Sequence, residues 1–500
     1  MERKPGKWGM LAAASLLAVA LAACSGQPSA DSEAKADEAT EQQSAAKNEE
    51  TAMMNNIELS AMIGVVRDRV EFKVDELEPD SDVRLIWPKV TGRHVTEDNY
   101  VYVGPEFEEE DMTLLEGKSD AEGKWSGSFE VPEGFGGDYT VYVADKDGKI
   151  GQTAFTVHPT FTMEPESGPA GTEITIKMEG LGWSTYARNW QLTYDNAYTG
   201  FVSAIATEGT AEAKIRASGP VGQHAIRLRT GYLGSPYINW KQSPYTDKPE
   251  PDFLFEVTDG ETNVENRVED IPEIAGGVNM PELKQAKGVD VMLDKEAGTV
   301  GESVTLSASG LAADSEVELV WNTMKGNRVS GLGFAEEETV LDKIQADADG
   351  SLTYDFEVPD DLGGIPHRID LKSGDEVVGQ AYFRILPSIV SMEPKSGPVG
   401  TKIEVTINGG GWTEFDNAYY LTYDNAFSGY MCSFNSQGNL TFDLIATGEP
   451  GHHMIDLYPG IYQQKDKDTD MTIVPQLTYS TDHPGSAMPA IRMAFEVTEE

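Results

Sequence analysis

Along most of the chain, apolar residues alternate with polar ones in short runs such as Glu173-Ile-Thr-Ile-Lys-Met178, Ser303-Val-Thr-Leu-Ser-Ala308 and Lys402-Ile-Glu-Val-Thr-Ile407. Alternation with period two puts every second side chain on one face of an extended segment, so each run predicts a half-buried β-strand. Gly, Pro and Asn interrupt the runs at roughly the 8 to 12 residue spacing of antiparallel sandwiches. Apart from weak helix formers in two linking segments, no helical period is sustained. The pattern predicts an all-β chain.

Two N-terminal stretches break the pattern. An apolar run from Met10 to Ala23 follows Arg3, Lys4 and Lys7. It falls short of the roughly 20 residues that span a bilayer, so residues 1–23 read as a cleaved export signal. Leu21-Ala-Ala-Cys24 resembles the bacterial lipobox, which implies that Cys24 becomes the lipid-modified, palmitate-bearing N-terminus of a lipoprotein. Residues 24–56 are almost wholly Ser, Ala, Glu, Gln, Asp, Lys and Asn, and cannot bury enough surface to offset their ordering entropy. They are expected to form a disordered tether with a reach of roughly 30 Å. No later stretch is apolar over the length of a membrane span.

The remainder is a duplication. Ser167-Gly-Pro-Ala-Gly-Thr172 returns as Ser396-Gly-Pro-Val-Gly-Thr401, and Leu192-Thr-Tyr-Asp-Asn-Ala197 as Leu421-Thr-Tyr-Asp-Asn-Ala426, both 229 residues later. A weaker repeat interleaves with it, Val83-Arg-Leu-Ile-Trp87 matching Val317-Glu-Leu-Val-Trp321. The order is A (57–158), B (159–258), an acidic linker (259–287), A′ (288–387) and B′ (388–500). Each module has the length of one immunoglobulin-like sandwich. The fold class expected is four tandem sandwiches in an A-B-A′-B′ duplication, and the polar linker predicts that the two halves fold separately. B and B′ resemble IPT/TIG-type immunoglobulin-like domains, through Pro165 to Thr172 and Pro394 to Thr401, each followed by a Gly-rich turn ending in Trp183 or Trp412. A and A′ resemble, more diffusely, the bacterial immunoglobulin-like units found beside such domains. The resemblance implies a fold and leaves function open, because this fold hosts many roles. Trp87, Trp183, Trp321 and Trp412 are expected to fill the space between sheets.

Charge and candidate chemistry narrow the picture further. A formal charge of −46 repels nucleic acid and anionic lipid. With Cys24 committed to lipid, Cys432 has no partner for a disulfide, and its counterpart in B is Ser203. None of the seven histidines has metal or catalytic spacing, and His224 and His453 share a structural position late in each B module. No nucleophile elbow, phosphate loop or dinucleotide fingerprint occurs, so no cofactor and no enzymatic role are expected. Glu109 and Glu110, with their repeats Glu336 and Glu337, are weak calcium candidates; adjacent glutamates on a strand point to opposite faces, which favours a solvated, charged edge. Tyr232, Tyr237, Trp240 and Tyr245 form an aromatic loop late in B, and its counterpart in B′, Tyr458 to Tyr479, is eleven residues longer. Such loops either stack on a ligand, sugar rings above all, or pack against a module.

Two functions follow from these readings. One is a non-enzymatic lipoprotein with a structural or adhesive role at the bacterial cell surface, its folded part outside the cytoplasm. The other is a carbohydrate-binding protein that holds wall or extracellular polysaccharide through the aromatic loops. The partners expected are the membrane, through the N-terminal lipid, and envelope polysaccharide or surface proteins.

Overall fold

The structure, a computed structural model, describes residues 56–97, 101–184, 187–232, 234–242, 250–261, 264–271, 280–326, 334–411, 418–433, 436–460, 474–483 and 488–499. The signal segment, Cys24 and the tether lie outside the described residues.

The chain is all-β, and each of the four modules is a sandwich of one three-stranded sheet and one larger sheet. B shows the plan. Thr160–Glu164, Glu173–Glu179 and Ala211–Arg216 form the small sheet. The large sheet runs in the order Ser167–Gly168, Asp252–Val257, Gly222–Tyr232, Trp190–Tyr194, Ala197–Val202. Its two-residue first strand lies parallel to the last strand of the module, Ser167 opposite Glu256. The same parallel closure recurs at Ile63–Gly64 in A, Ala297–Thr299 in A′ and Ser396–Gly397 in B′. A strand that leaves the small sheet to close the large one alongside the final strand is an immunoglobulin-like connection, present here four times.

Local sequence explains the recurring turns. Leu-Thr-Tyr-Asp-Asn-Ala is a two-residue hairpin: Asp195 and Asn196 have φ of 48° and 67°, and Asp424 and Asn425 have 49° and 63°. Two consecutive positive φ values are the type I′ requirement, which Asp and Asn tolerate best among residues with a side chain. One position on the strand that pairs with the last strand of the module is reused in all four modules. Tyr139 donates to Phe135 O at 2.6 Å, while His224, His367 and His453 face the carbonyls of Pro220, Leu362 and Glu449 at 2.8, 2.6 and 2.8 Å. The histidines therefore satisfy loop carbonyls.

Four apolar clusters form the cores. Trp87 packs on Tyr139 in A, and the repeat-related Trp321 stacks on His367 in A′. Trp183 does not fill its own module. It joins the core of A, 5.1 Å from Tyr139 and 6.1 Å from Phe135, and so seals the A–B joint. That placement follows from a close approach: a Cβ on Gly136 would stand 1.9 Å from Gly180 O, and one on Gly363 would stand 2.0 Å from Gly409 O in the equivalent A′–B′ joint. Trp412 lies outside the described residues.

The linker is docked at both ends. Arg267–Val268 adds a strand to the edge of the B′ sheet, and further on Tyr382 of A′ donates to Pro281 O while Ala286 N donates to Val378 O. Asn55–Glu500 forms one compact unit.

Candidate functional site

The most distinctive chemistry lies where B meets B′. Arg216 ends the strand Ala211–Arg216, whose alternation should aim it at solvent, yet it is 2% exposed. It crosses to B′, donating to Asp456 Oδ1 and to Met493 O, both at 2.5 Å. Asp456 is fully buried, and its other oxygen lies 3.6 Å from Nη1 of Arg492. Arg492 donates from Nε to Glu269 of the linker at 2.6 Å and lies 4.6 Å from the centre of the Tyr458 ring. Tyr479, from the long B′ loop, donates its hydroxyl to Glu269. Two guanidinium groups and two carboxylates thus make a neutral chain that ties B, the linker and B′ together.

The electrostatics follow from that balance. Burial raises the Glu269 carboxyl, but the Arg492 charge and the Tyr479 hydrogen bond outweigh it and hold the group below its usual range. Burial likewise works against the charged Arg492, and Tyr458, Asp456 and Glu269 together hold its proton more tightly than usual. Charges this deep are tolerated only as partners, and removing one leaves another uncompensated. The seam also has an apolar part, since Tyr458, Leu477, Tyr479 and Ala490 of B′ belong to the same cluster as the core of B. Asn425 caps it, donating from Nδ2 to Arg216 O at 2.7 Å and to Ser218 Oγ at 2.9 Å. The expectation of two separately folding halves therefore meets a seam of buried charges, and the linker supplies one of them.

The long B′ loop reaches further, into the A–B joint. Gln476 forms a parallel bridge to Phe201, with Phe201 N donating to Pro475 O at 2.9 Å and Leu477 N to Phe201 O at 2.8 Å. This covers the edge strand of B, which would otherwise present unpaired backbone groups. Beyond it, Asp482 is fully buried between modules. It accepts from Ser203 Oγ at 2.5 Å and Ala206 N at 2.7 Å, and lies 3.1 Å from Nε2 of His94 in A. Burial raises Asp482, and the His94 partner first among several outweighs it, so the carboxyl sits below its ordinary value. Ser, Asp and His meet here in the wrong order for hydrolysis: the carboxylate, not the imidazole, accepts the serine proton, and all three are shielded from solvent.

The residues singled out in the sequence fall elsewhere. Tyr232 ends the strand Gly222–Tyr232 and pairs with Ser235; Trp240 opens a single 3-10 turn, Trp240–Gln242. Tyr237 is 37% exposed, donating its hydroxyl to Gln242 O, and the adjoining Ile238 is 85% exposed. Tyr245 lies outside the described residues. In B′ the long stretch is bounded by Tyr458, which lies on the strand Gly451–Pro459 at the position of Arg229 in B, and by Tyr479; both are buried in the seam. Glu109 and Glu110 lie on the exposed strand Val101–Lys118, opposite Val90 and Lys89. Glu336 and Glu337 lie opposite Met324 and Thr323, and Arg368 holds the Glu336 carboxylate at 2.6 Å. Among the described residues no group of three or more His, Cys, Asp or Glu is placed to hold a metal ion, and no helix is long and apolar enough to cross a membrane.

Sequence reasoning missed Arg216, Asp456, Arg492, Glu269, Asp482 and His94. Two signals were available: the eleven extra residues of the B′ loop, and Arg216 standing at a position that alternation assigns to solvent.

No protein-family model matches the chain, and no curated protein matches it. Among solved structures it is similar to Salmonella alpha-2-macroglobulin reacted with methylamine, at 9% identity and a TM-score of 0.18, over 89% of this chain and 31% of that one. It is similar to invasin, a bacterial integrin-binding protein, at 12% identity and 0.18, over 88% and 78%. A tetra-tandem repeat from the extending region of a large adhesion protein gives 10% and 0.17, over 88% and 99%. The chain spans about a third of the length of the macroglobulin. Scores this low carry nothing about activity or partners, and the immunoglobulin-like class rests on the strand order described above.

Proposed function

We propose that this protein is a lipid-anchored component of the bacterial cell surface with a structural or adhesive role, its second and fourth modules being sandwiches of IPT/TIG type. The observation that carries the reading is the seam. Buried groups from A, B, the linker and B′ lock the sandwiches into one unit, an arrangement suited to presenting surface on a rigid body at the end of a tether. Leu21-Ala-Ala-Cys24 and the polar stretch behind it supply the anchor and the spacing. The acidic surface keeps such a unit soluble and away from anionic headgroups. In fractionated cells the wild-type protein is expected in the detergent phase, and Cys24→Ala in the medium or as unprocessed precursor. Wild-type protein recovered soluble, with an N-terminus far beyond residue 24, would overturn the anchor.

A second reading, polysaccharide binding, is favoured by one observation: Tyr237 and Ile238 of B are exposed, at 37% and 85%, side by side on the surface. Replacing Tyr237, Trp240 and Tyr245 with Ala should abolish retention on purified wall polymer and leave the melting temperature nearly unchanged, because exposed substitutions cost under about 0.5 kcal/mol. A large fall in melting temperature would show that the loop packs instead.

A further inference from the structure

One buried cluster brings together a hydroxyl, a carboxylate on its proton and a carboxamide, with no substrate needed from outside. Ser203, just past the end of the B edge strand, and Gln476, in the B′ loop, are each fully buried, and Gln476 Nε2 donates to Ser203 Oγ at 3.2 Å. Asp482 addresses both. Its carboxylate accepts the Ser203 proton at 2.5 Å, and its main-chain carbonyl accepts from Gln476 Nε2 at 2.6 Å. His94 lies against the remaining carboxylate oxygen at 3.1 Å. The two chain segments are pinned on each side, by the Phe201 to Gln476 bridge and by Ser203 N donating to Thr478 Oγ1 at 3.2 Å. A hydroxyl, a base on its proton and a carboxamide held against it are the elements of nucleophilic attack on an acyl carbon.

We propose that Ser203 and Gln476 join in a self-formed ester cross-link between B and B′. Ser203 Oγ adds to Cδ of Gln476 as its proton passes to Asp482. The Cδ–Nε2 bond then breaks, and the nitrogen, keeping its two hydrogens and taking the proton from Asp482, leaves as ammonia. Atoms balance without oxidant or co-reactant: one hydroxyl and one carboxamide give one ester and one ammonia.

An ester is less stable than the amide it replaces. Two features favour the exchange: the partners are held together at a high effective concentration, and ammonia, once released, is protonated and diluted away. Burial then protects the ester from water. No described group donates to Gln476 Oε1, so the developing oxyanion lacks a partner that is typically worth 10²- to 10³-fold in rate. The reaction is accordingly a slow, single maturation step. It is confined to one copy, since B′ has Cys432 in place of Ser203 and the loop of B lacks the inserted residues. The product would staple two modules across 273 residues of sequence.

Peptide mapping of the full chain, purified in detergent and held at neutral pH before denaturation and trypsin digestion, tests this. The fragment Asn189–Lys214 should emerge joined to Asp468–Arg492, lighter than their sum by one ammonia, and hydroxylamine should separate them. Ser203→Ala and Asp482→Asn should each yield the two fragments apart. Circular dichroism of Ser203→Ala would show that loss of the link is not loss of the fold. Wild-type protein with native dichroism that gives the two fragments separate and at full mass after prolonged incubation overturns the proposal, as does a joined product that resists hydroxylamine.

Discussion

B and B′ carry a charged pair on the same rung of the same two strands, with the signs exchanged. In B, Arg227 lies opposite Asp252; in B′, Asp456 lies opposite Arg492. The B pair is 39% and 59% exposed, an ordinary surface ion pair at 2.7 Å. The B′ pair is 0% and 1% exposed, because Arg216 of B and Glu269 of the linker close over it. Backbone and register are the same, so the difference comes from what docks on the sheet. A surface pair of this kind typically contributes about 0 to 1 kcal/mol, whereas breaking a buried one costs about 3 to 5 kcal/mol.

The largest effect should therefore come from Asp456→Asn, which strands Arg216 and Arg492 without their shared carboxylate. Denaturant unfolding should show a loss of about 3 to 5 kcal/mol, against under about 1 kcal/mol for Asp252→Asn in B. Equal losses at the two sites would mean that the seam does not form in solution.

The aromatic loops give the next contrast. Tyr479→Ala empties a buried site shared with the core of B, for an expected loss of about 3 to 5 kcal/mol, while Tyr237→Ala should cost under about 0.5 kcal/mol. Calorimetric melting of the two variants side by side decides whether the loops differ as described.

A smaller effect separates the two hairpin turns. Asn196 is exposed and Asn425 is fully buried, although both adopt the left-handed conformation. Alanine at either position incurs the same backbone penalty, so subtracting one loss from the other isolates docking. Asn425→Ala should cost about 1 to 3 kcal/mol more, through the lost partners of Arg216 O and Ser218 Oγ. A difference within error would remove the turn from the seam.

The sandwiches themselves were legible because they depend on local pattern. Alternation such as Glu173 to Met178 names its inward residues directly, and Ile174, Ile176 and Met178 are buried. The Tyr-Asp-Asn turn could be read because positive φ restricts residue choice. The seam was not legible, for two reasons. Alternation reports only which face of a strand is covered by its own module, so Arg216 and Asp456 look like solvent-facing residues. Trp183 likewise reads as core, and nothing local to Gly-Leu-Gly-Trp shows that the core it fills belongs to A. The seam is a pairing between positions some 240 residues apart, and no periodicity carries that information.

The smallest predicted effect concerns pH. His453 sits between two acceptors, the Asp424 carboxylate at 2.5 Å from Nδ1 and the Glu449 carbonyl at 2.8 Å from Nε2, with its ring stacked on Tyr423. Only the protonated ring can donate to both. Burial disfavours that charge, but the Asp424 hydrogen bond outweighs it, so the group holds its proton to higher pH than a free histidine. A folded-state value raised above the unfolded value of about 6.5 adds stability that is fully present below that pH and is lost as pH rises through the folded value. The stability difference between wild type and His453→Asn, measured by denaturant titration, should therefore be largest near about pH 6 and shrink toward about pH 9. Asp424→Asn, which removes the carboxylate and keeps the ring with its bond to the Glu449 carbonyl, is the reference for the loss of packing and of that loop hydrogen bond. A His453→Asn difference that stays flat, or grows with pH, would mean that Asp424 does not hold the imidazolium and that the ring serves only to satisfy the Glu449 carbonyl.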